Sequence, residues 1–204
     1  MAHSRNVTGI GHPILDVTVT VDEEYLKKYQ LNQNDQIMCD KSKHHDQIYS
    51  DLLKTNDFAL VKHTPGGSTF NTLTAAAWLL SGQPAYLNDP SRKKPLFAGS
   101  VAQDAFCKLL KQRGTLLDLQ FNEITKNDIE DLNEDQKKIA ESMTDKNNNL
   151  RTGVCAVLLN DDGQNRSLVT NLGAAKFFSQ EAYEKVHDDL LDTKIQKCDK
   201  MFWL

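Results

Sequence analysis

The sequence predicts an α/β fold: a doubly wound, mostly parallel sheet, incomplete within these residues, with a small β lid. Three observations predict it. Short apolar runs alternate with helical patterns along the chain, as expected of βαβ units whose parallel sheet is covered on both faces. Three other runs, 14–21, 36–39 and the 153–172 hairpin, read as half-buried strands, so each expects cover on one face only, as in a separate small sheet. The chain closes on the apolar run Met201-Phe202-Trp203-Leu204, which has the composition of a buried central strand and is expected to stop inside a domain.

The elements follow in order. A strand over 7–11 enters the turn Gly11-His12-Pro13, and 14–21 is the first half-buried strand. Asp22-Glu23-Glu24 opens a short helix to 29, 35–39 is a strand, 44–53 is helical and 58–61 is a strand. The clearest helix runs over 68–80, with Ser68 as candidate cap and Gly82 as its stop. Trp78 and the stretch 75–80 are assigned to core packing. Residues 96–101 form a strand, 103–113 a helix closed by Gly114, and 116–121 a strand. The charged, Asn-rich stretch 125–149 reads as a helical insertion, with 130–138 a solvated face. Strands at 153–159 and 167–172 flank the hairpin turn signal Asn160-Asp161-Asp162-Gly163. A last helix is expected over 179–191, with Ser179 as its cap.

Composition narrows the function classes. The 204 residues are 39% hydrophobic and 25% charged, enough for one sizeable α/β domain with an appendage. The net charge of −4 argues against a broad nucleic-acid footprint. Cys39, Cys107, Cys155 and Cys198 form no CxxC pair, so a reduced, intracellular set is expected, with no zinc site. No apolar run approaches membrane length.

Several motifs bear chemistry. There is no GxxxxGK[ST], and Gly9-Ile10-Gly11 lacks a third glycine because Ile14 stands there, which leaves a dinucleotide site poorly supported. Gly66-Gly67-Ser68 reads equally as a tight turn into a capped helix or as a ligand grip made of close backbone and free helix N–H groups. Asn71, ill suited to a helix interior, tips this towards the grip. Asp16 suits a ribose cis-diol, yet alone it reads as a solvated or turn-capping carboxylate. Arg166 fits a phosphate or a solvated turn. Cys155 reads as a small buried hydrophobe, His44-His45 as surface, and His63 stays open.

Together these pieces resemble the ribokinase-type carbohydrate and nucleoside kinases, and within them the adenosine kinase branch. The resemblance is carried in order by Gly11-His12-Pro13-Ile14-Leu15-Asp16, Asn34-Asp35-Gln36-Ile37-Met38, Gly66 to Asn71, Thr152-Gly153-Val154-Cys155-Ala156, and Asn165-Arg166-Ser167-Leu168-Val169-Thr170-Asn171-Leu172-Gly173-Ala174-Ala175. It implies a ribokinase-like sheet with a core of about 1–16, 40–150 and 174–204 and a lid of about 17–39 and 152–173. It implies that Asp16 holds the ribose 2′ and 3′ hydroxyls with Gly66, Gly67 and Asn71 beside it, and that Ser68 lies by the purine. His12 would contact the ribose and purine edge. Gln36 and Met38, with Cys155, Leu168, Thr170 and Leu172, would line the lid, and Arg166 would approach the transferred phosphate.

The departures are specific. His12 stands where the family has Asn, and Thr170 where it has a small apolar residue. Ala102 and Cys107 replace two glycines of the G-x-x-G-x-D-x-F-G segment, so Ala102 is expected to strain that turn if it needs positive φ. The resemblance implies ATP-dependent phosphorylation of adenosine to AMP with Mg²⁺, in purine salvage, by a cytoplasmic or nuclear monomer without nucleic-acid or membrane partners. The family's DTxGAGD segment, which supplies its anion hole and general base, does not occur in these residues. The 204 residues alone are therefore expected to be inactive. The alternatives are a non-catalytic nucleoside binder, a truncated non-functional product, or a related sugar kinase.

Overall fold

The protein is represented by a computed structural model that describes residues 7–54, 61–83, 94–145, 147–160 and 163–184. In chain order the elements are β1 (Thr8–Ile10), β2 (Ile14–Thr20), α1 (Glu23–Lys28), β3 (Gln36–Met38), α2 (His45–Lys54), β4 (Lys62–Gly66), α3 (Ser68–Ser81), β5 (Leu96–Ala102), α4 (Ala105–Arg113), β6 (Asp118–Ile124), α5 (Lys126–Glu130), α6 (Glu134–Met143), β7 (Gly153–Asn160) and β8 (Asn165–Asn171). Single 3₁₀ turns occupy Lys41–Lys43 and Gly173–Phe177.

The first sheet is parallel, in the order β1-β5-β6. Every residue of β5 is buried, as a central strand covered on both faces requires. One face packs Phe97 against Phe70, Leu73 and Ala77 of α3. Phe97 meets Phe70 and Phe121 edge-on, at 5.5 and 6.0 Å between ring centroids. The other face packs Leu96 and Ala98 against Ile10 and Phe178.

The second sheet has five strands in the order β3-β8-β7-β2-β4. β7 and β8 form the antiparallel hairpin expected from the sequence, while β2 joins β7 in parallel and β4 antiparallel. Alternation decides its two faces. Leu15, Val17 and Val19 of β2, Val154, Ala156 and Leu158 of β7 and Val169 of β8 point one way, into the main core with α1, α2 and α4. Asp16, Cys155, Leu168 and Thr170 point the other way.

The insertion folds as two short helices, each started by a capping box: Thr125 with Asp128, and Asn133 with Gln136. Lys41 fastens it to the body through the Glu141 carbonyl and Thr144 Oγ1, the latter at 3.0 Å. Among the described residues no helix is long and apolar enough to cross a membrane.

Several expectations change. The strand expected at 58–61 is instead β4, starting at Lys62; residues 58–60 lie outside the described set. Pro65 sits in β4 without harm because β4 is an edge strand, where one missing N–H costs no ladder bond. The strand expected at 116–121 begins at Asp118 and runs to Ile124, and Leu116 is exposed. Trp78 is 72% exposed and Leu79 61%, so neither is core: the stripe of α3 that meets the sheet is Phe70, Leu73 and Ala77. His45 is fully buried, not surface; its Nδ1 accepts from the Asp40 N–H at 3.2 Å and its Nε2 donates to the Tyr29 carbonyl at 2.9 Å. Ala102 ends β5 without positive φ, so no strain arises there. Ser179 Oγ accepts from Ala182 N at 3.1 Å, as a cap should, and 180–184 are helical; residues 185–191 of the expected helix, the turn residues Asp161 and Asp162, and the terminal apolar run lie outside the described residues.

His63 faces the core from β4. It is 8% exposed, and its Nε2 is buried without a hydrogen-bond partner. Burial, then the Arg113 charge, holds its pKa below the ordinary 6.5. The unfolded chain therefore takes up this proton first as pH falls, so stability is full above 6.5 and drops as pH falls below it. Thermal melts between pH 7.5 and 5.5 (about one unit either side of the ordinary His value) should show this slope in the native chain. His63→Gln should reduce it, leaving the share of His12, whose pKa is also lowered; an unchanged slope would assign the effect elsewhere.

Candidate functional site

Strand register assembles the outer face of the second sheet into rows. One row reads Thr64 (β4), Asp16 (β2), Cys155 (β7), Thr170 (β8) and Met38 (β3). The next reads Lys62, Thr18, Val157, Leu168 and Gln36. A third places Thr20, Leu159 and Arg166 together. Six of the residues expected at the site thus share one face of one sheet: Asp16, Gln36, Met38, Cys155, Leu168 and Thr170. Arg166 shares it too, two rows beyond Asp16.

Gly66, Gly67 and Asp16 form the closest-packed part. Gly66 pairs with Ile14, and the Asp16 carboxylate lies directly over it: a Cβ built on Gly66 would stand 2.5 Å from Asp16 Cγ. Gly67 has φ +93° and brings its α-carbon against the His12 carbonyl, where a Cβ would sit 2.7 Å from the oxygen. Gly67, not Ser68, is the N-cap of α3, and no side chain caps the helix. Ser68 is the first helical residue and is exposed. The first N–H groups of α3 are consequently open beside Asp16, since the Gly67 carbonyl bonds only from Asn71 N onward, at 3.0 Å. Asn71 is exposed one turn along.

The electrostatics suit a neutral, hydroxyl-bearing ligand. Burial raises the Asp16 pKa and the Arg166 charge partly offsets it. Burial pushes the Cys155 thiol up to about 11, despite the Thr170 hydroxyl, so it stays protonated and is no nucleophile. Thr170 Oγ1 donates to Cys155 Sγ at 3.2 Å. Arg166 is exposed, with its N–H on Asn34 Oδ1 at 3.1 Å. The His12 imidazole is held below its ordinary pKa by burial and by the Lys176 charge. Leu172 follows β8, half-buried, just before the 3₁₀ turn at Gly173–Phe177.

The sequence reading missed Thr64, which stands beside Asp16, because it missed β4. The described residues also line an open cleft of about 550 Å³ between the end of β5, α4 and the insertion. Its carboxylates are taken up internally: Asp104 accepts from Cys107 N and from Thr152, and Asp145 from the Asn147 and Asn149 N–H groups. The Asp16 face has the free acceptor, open helix donors and apolar wall that a ligand needs.

No family model matches the chain. It is 35% identical over 186 residues to an adenosine kinase of Saccharomyces cerevisiae, covering 90% of this chain and 44% of that protein. It is 30% identical over 167 residues to that of Schizosaccharomyces pombe, covering 82% and 37%. Among solved structures it is similar to Anopheles gambiae adenosine kinase in complex with P1,P4-di(adenosine-5) tetraphosphate, at TM-score 0.62 and 27% identity, covering 87% of this chain and 42% of that one. It is likewise similar to Trypanosoma brucei brucei adenosine kinase, at TM-score 0.63 and 27% identity, covering 89% and 46%. The chain spans less than half the length of each of these relatives.

Proposed function

We infer the function from the premise that this chain is a homologue of the adenosine kinases and has their ribokinase-like fold. The Asp16 face binds the acceptor nucleoside, adenosine; in a whole kinase of this kind that face would serve the ATP-dependent phosphorylation of its 5′-hydroxyl to AMP, a purine-salvage reaction. The observation that carries the reading is the half-buried Asp16 carboxylate seated over Gly66 at the open end of α3, on the same face as Cys155, Leu168, Thr170 and Met38. A carboxylate accepts from both hydroxyls of a cis-diol, and the apolar side chains Cys155, Val157, Leu168 and Met38 within the rows fit a flat base.

ATP, bound with Mg²⁺, supplies the phosphoryl group. Of the residues on this face, Arg166 has the charge and planar donors to meet a phosphate. Mg²⁺ would reach the site bound to the ATP phosphates. The DTxGAGD segment is absent from these 204 residues, so the reading is nucleoside binding without turnover.

Calorimetric titration of the purified chain with adenosine tests the first half, and AMP formation from ATP and adenosine the second. Saturable adenosine binding with no AMP is expected. Lack of binding overturns the reading; AMP formed in an Asp16-dependent way overturns the inactivity.

A further inference from the structure

Thr170 puts a hydroxyl on an otherwise apolar part of the candidate face, and its proton is already placed. Thr170 Oγ1 donates to Cys155 Sγ at 3.2 Å. The thiol keeps its own proton, which points to the Ala156 carbonyl at 3.8 Å. The sulfur therefore stands as acceptor towards Thr170, and the Thr170 oxygen presents lone pairs, not a donor, to anything lying on the sheet. Register fixes its place: Asp16, Cys155 and Thr170 are successive members of one row, so the Asp16 and Thr170 α-carbons lie about 10 Å apart, two strand spacings. That reach is comparable with the span from a ribose diol to the far edge of a purine. Gln36, on the strand next to Thr170, stands one row away and has both a donor and an acceptor, so it does not discriminate; Thr18, Lys62 and Thr64 lie on β2 and β4, at the Asp16 side of the face.

We infer that Thr170 selects a base edge that donates a hydrogen bond, the 6-amino edge of adenosine, over one that accepts, the 6-oxo edge of inosine. The inference rests on the nucleoside-binding reading above. A 6-oxo base would bring oxygen to oxygen, or force the hydroxyl to turn and abandon Cys155.

The test is equilibrium titration of the full 204-residue chain with adenosine, inosine and purine riboside, which has no 6-substituent. The native chain should prefer adenosine over inosine about tenfold, the scale of one hydrogen bond. Thr170→Val keeps the branched shape without the acceptor, and should bring that ratio near one by weakening adenosine while leaving purine riboside unchanged. Thr170→Ser keeps the hydroxyl and should keep the ratio. A Thr170→Val chain that binds nucleosides and discriminates like the native one overturns this inference alone. No saturable binding of any of the three by the native chain overturns the nucleoside reading and this inference with it.

Discussion

Asp16→Asn should lower adenosine affinity about a hundredfold or more while leaving the thermal midpoint at neutral pH unchanged or higher. The binding loss follows from exchanging two charge-assisted hydrogen bonds for one neutral acceptor and a misplaced donor, at about 1.5–3 kcal/mol for each bond to a charged group. The stability gain follows from the sign of the pKa shift. Burial raises the Asp16 pKa, so the folded chain holds this proton more tightly than the unfolded chain does. Any stabilisation from the group is present at low pH and lost as pH rises through its folded value. At neutral pH the buried carboxylate is a cost that the isosteric amide removes. Calorimetric titration and a melt at pH 7 (the ordinary neutral reference) read the two effects separately. Retained affinity, or a large fall in melting temperature, would show that Asp16 serves the fold and not a ligand.

Asp104→Ala should destabilise the chain by about 3–5 kcal/mol, the sum of a lost helix cap and buried donors left unpaired. Asp104 joins three elements. Its Oδ1 caps α4 through Cys107 N at 2.8 Å, and also accepts from Thr152 Oγ1 at 2.8 Å. Its Oδ2 accepts from Thr152 N at 2.8 Å. Thr152 is itself fully buried and bonds Ala102 at the end of β5 through its hydroxyl, which accepts from Ala102 N at 3.1 Å. One carboxylate therefore ties the first sheet, α4 and the start of β7, just before Gly153 pairs with Ile14. Chemical denaturation gives the magnitude. Asp104→Asn, which retains one acceptor, should fall between the native chain and Asp104→Ala. A loss under about 1 kcal/mol, the scale of one ordinary hydrogen bond, would mean that water or a neighbour replaces all three contacts.

Much of this arrangement was legible in the chain. The parity of alternation in 14–20 and 165–171 decides which residues are core and which face outward, whereas 153–159 is apolar throughout and carries no such signal. It puts Asp16, Leu168 and Thr170 on outward-facing positions before any pairing is known, while Cys155 takes its face only from its pairing with Asp16 and Thr170. What parity lacks is register: nothing local says that Asp16 stands beside Cys155, because the two are joined by a parallel pairing of distant segments. Thr64 was hidden because Pro65 argues against a strand unless that strand is known to be an edge. His45 was hidden because its burial depends on the Tyr29 carbonyl, sixteen residues earlier. On α3, apolar residues surround the helix, so composition alone could not say that Trp78 turns away from the sheet. The Gly66–Asn71 motif was found, but its cap was misplaced by one residue: Gly67 makes the turn, and the Ser68 side chain is left outside it.

The parallel pairing of β2 with β7 also sets the order in which the molecule comes together. The β7–β8 hairpin is local and closes a short loop, whereas Ile14 meets Gly153 only after nearly the whole chain between them is drawn in. Closing a loop of that length costs about 4 kcal/mol more than a minimal one by the logarithmic law, before any contact rewards it. Asp16 and Cys155 should therefore become neighbours late in refolding, after hairpin and helices are in place. Recovery of ligand binding would then lag behind recovery of secondary structure, which makes the candidate site a clock for the last step of folding.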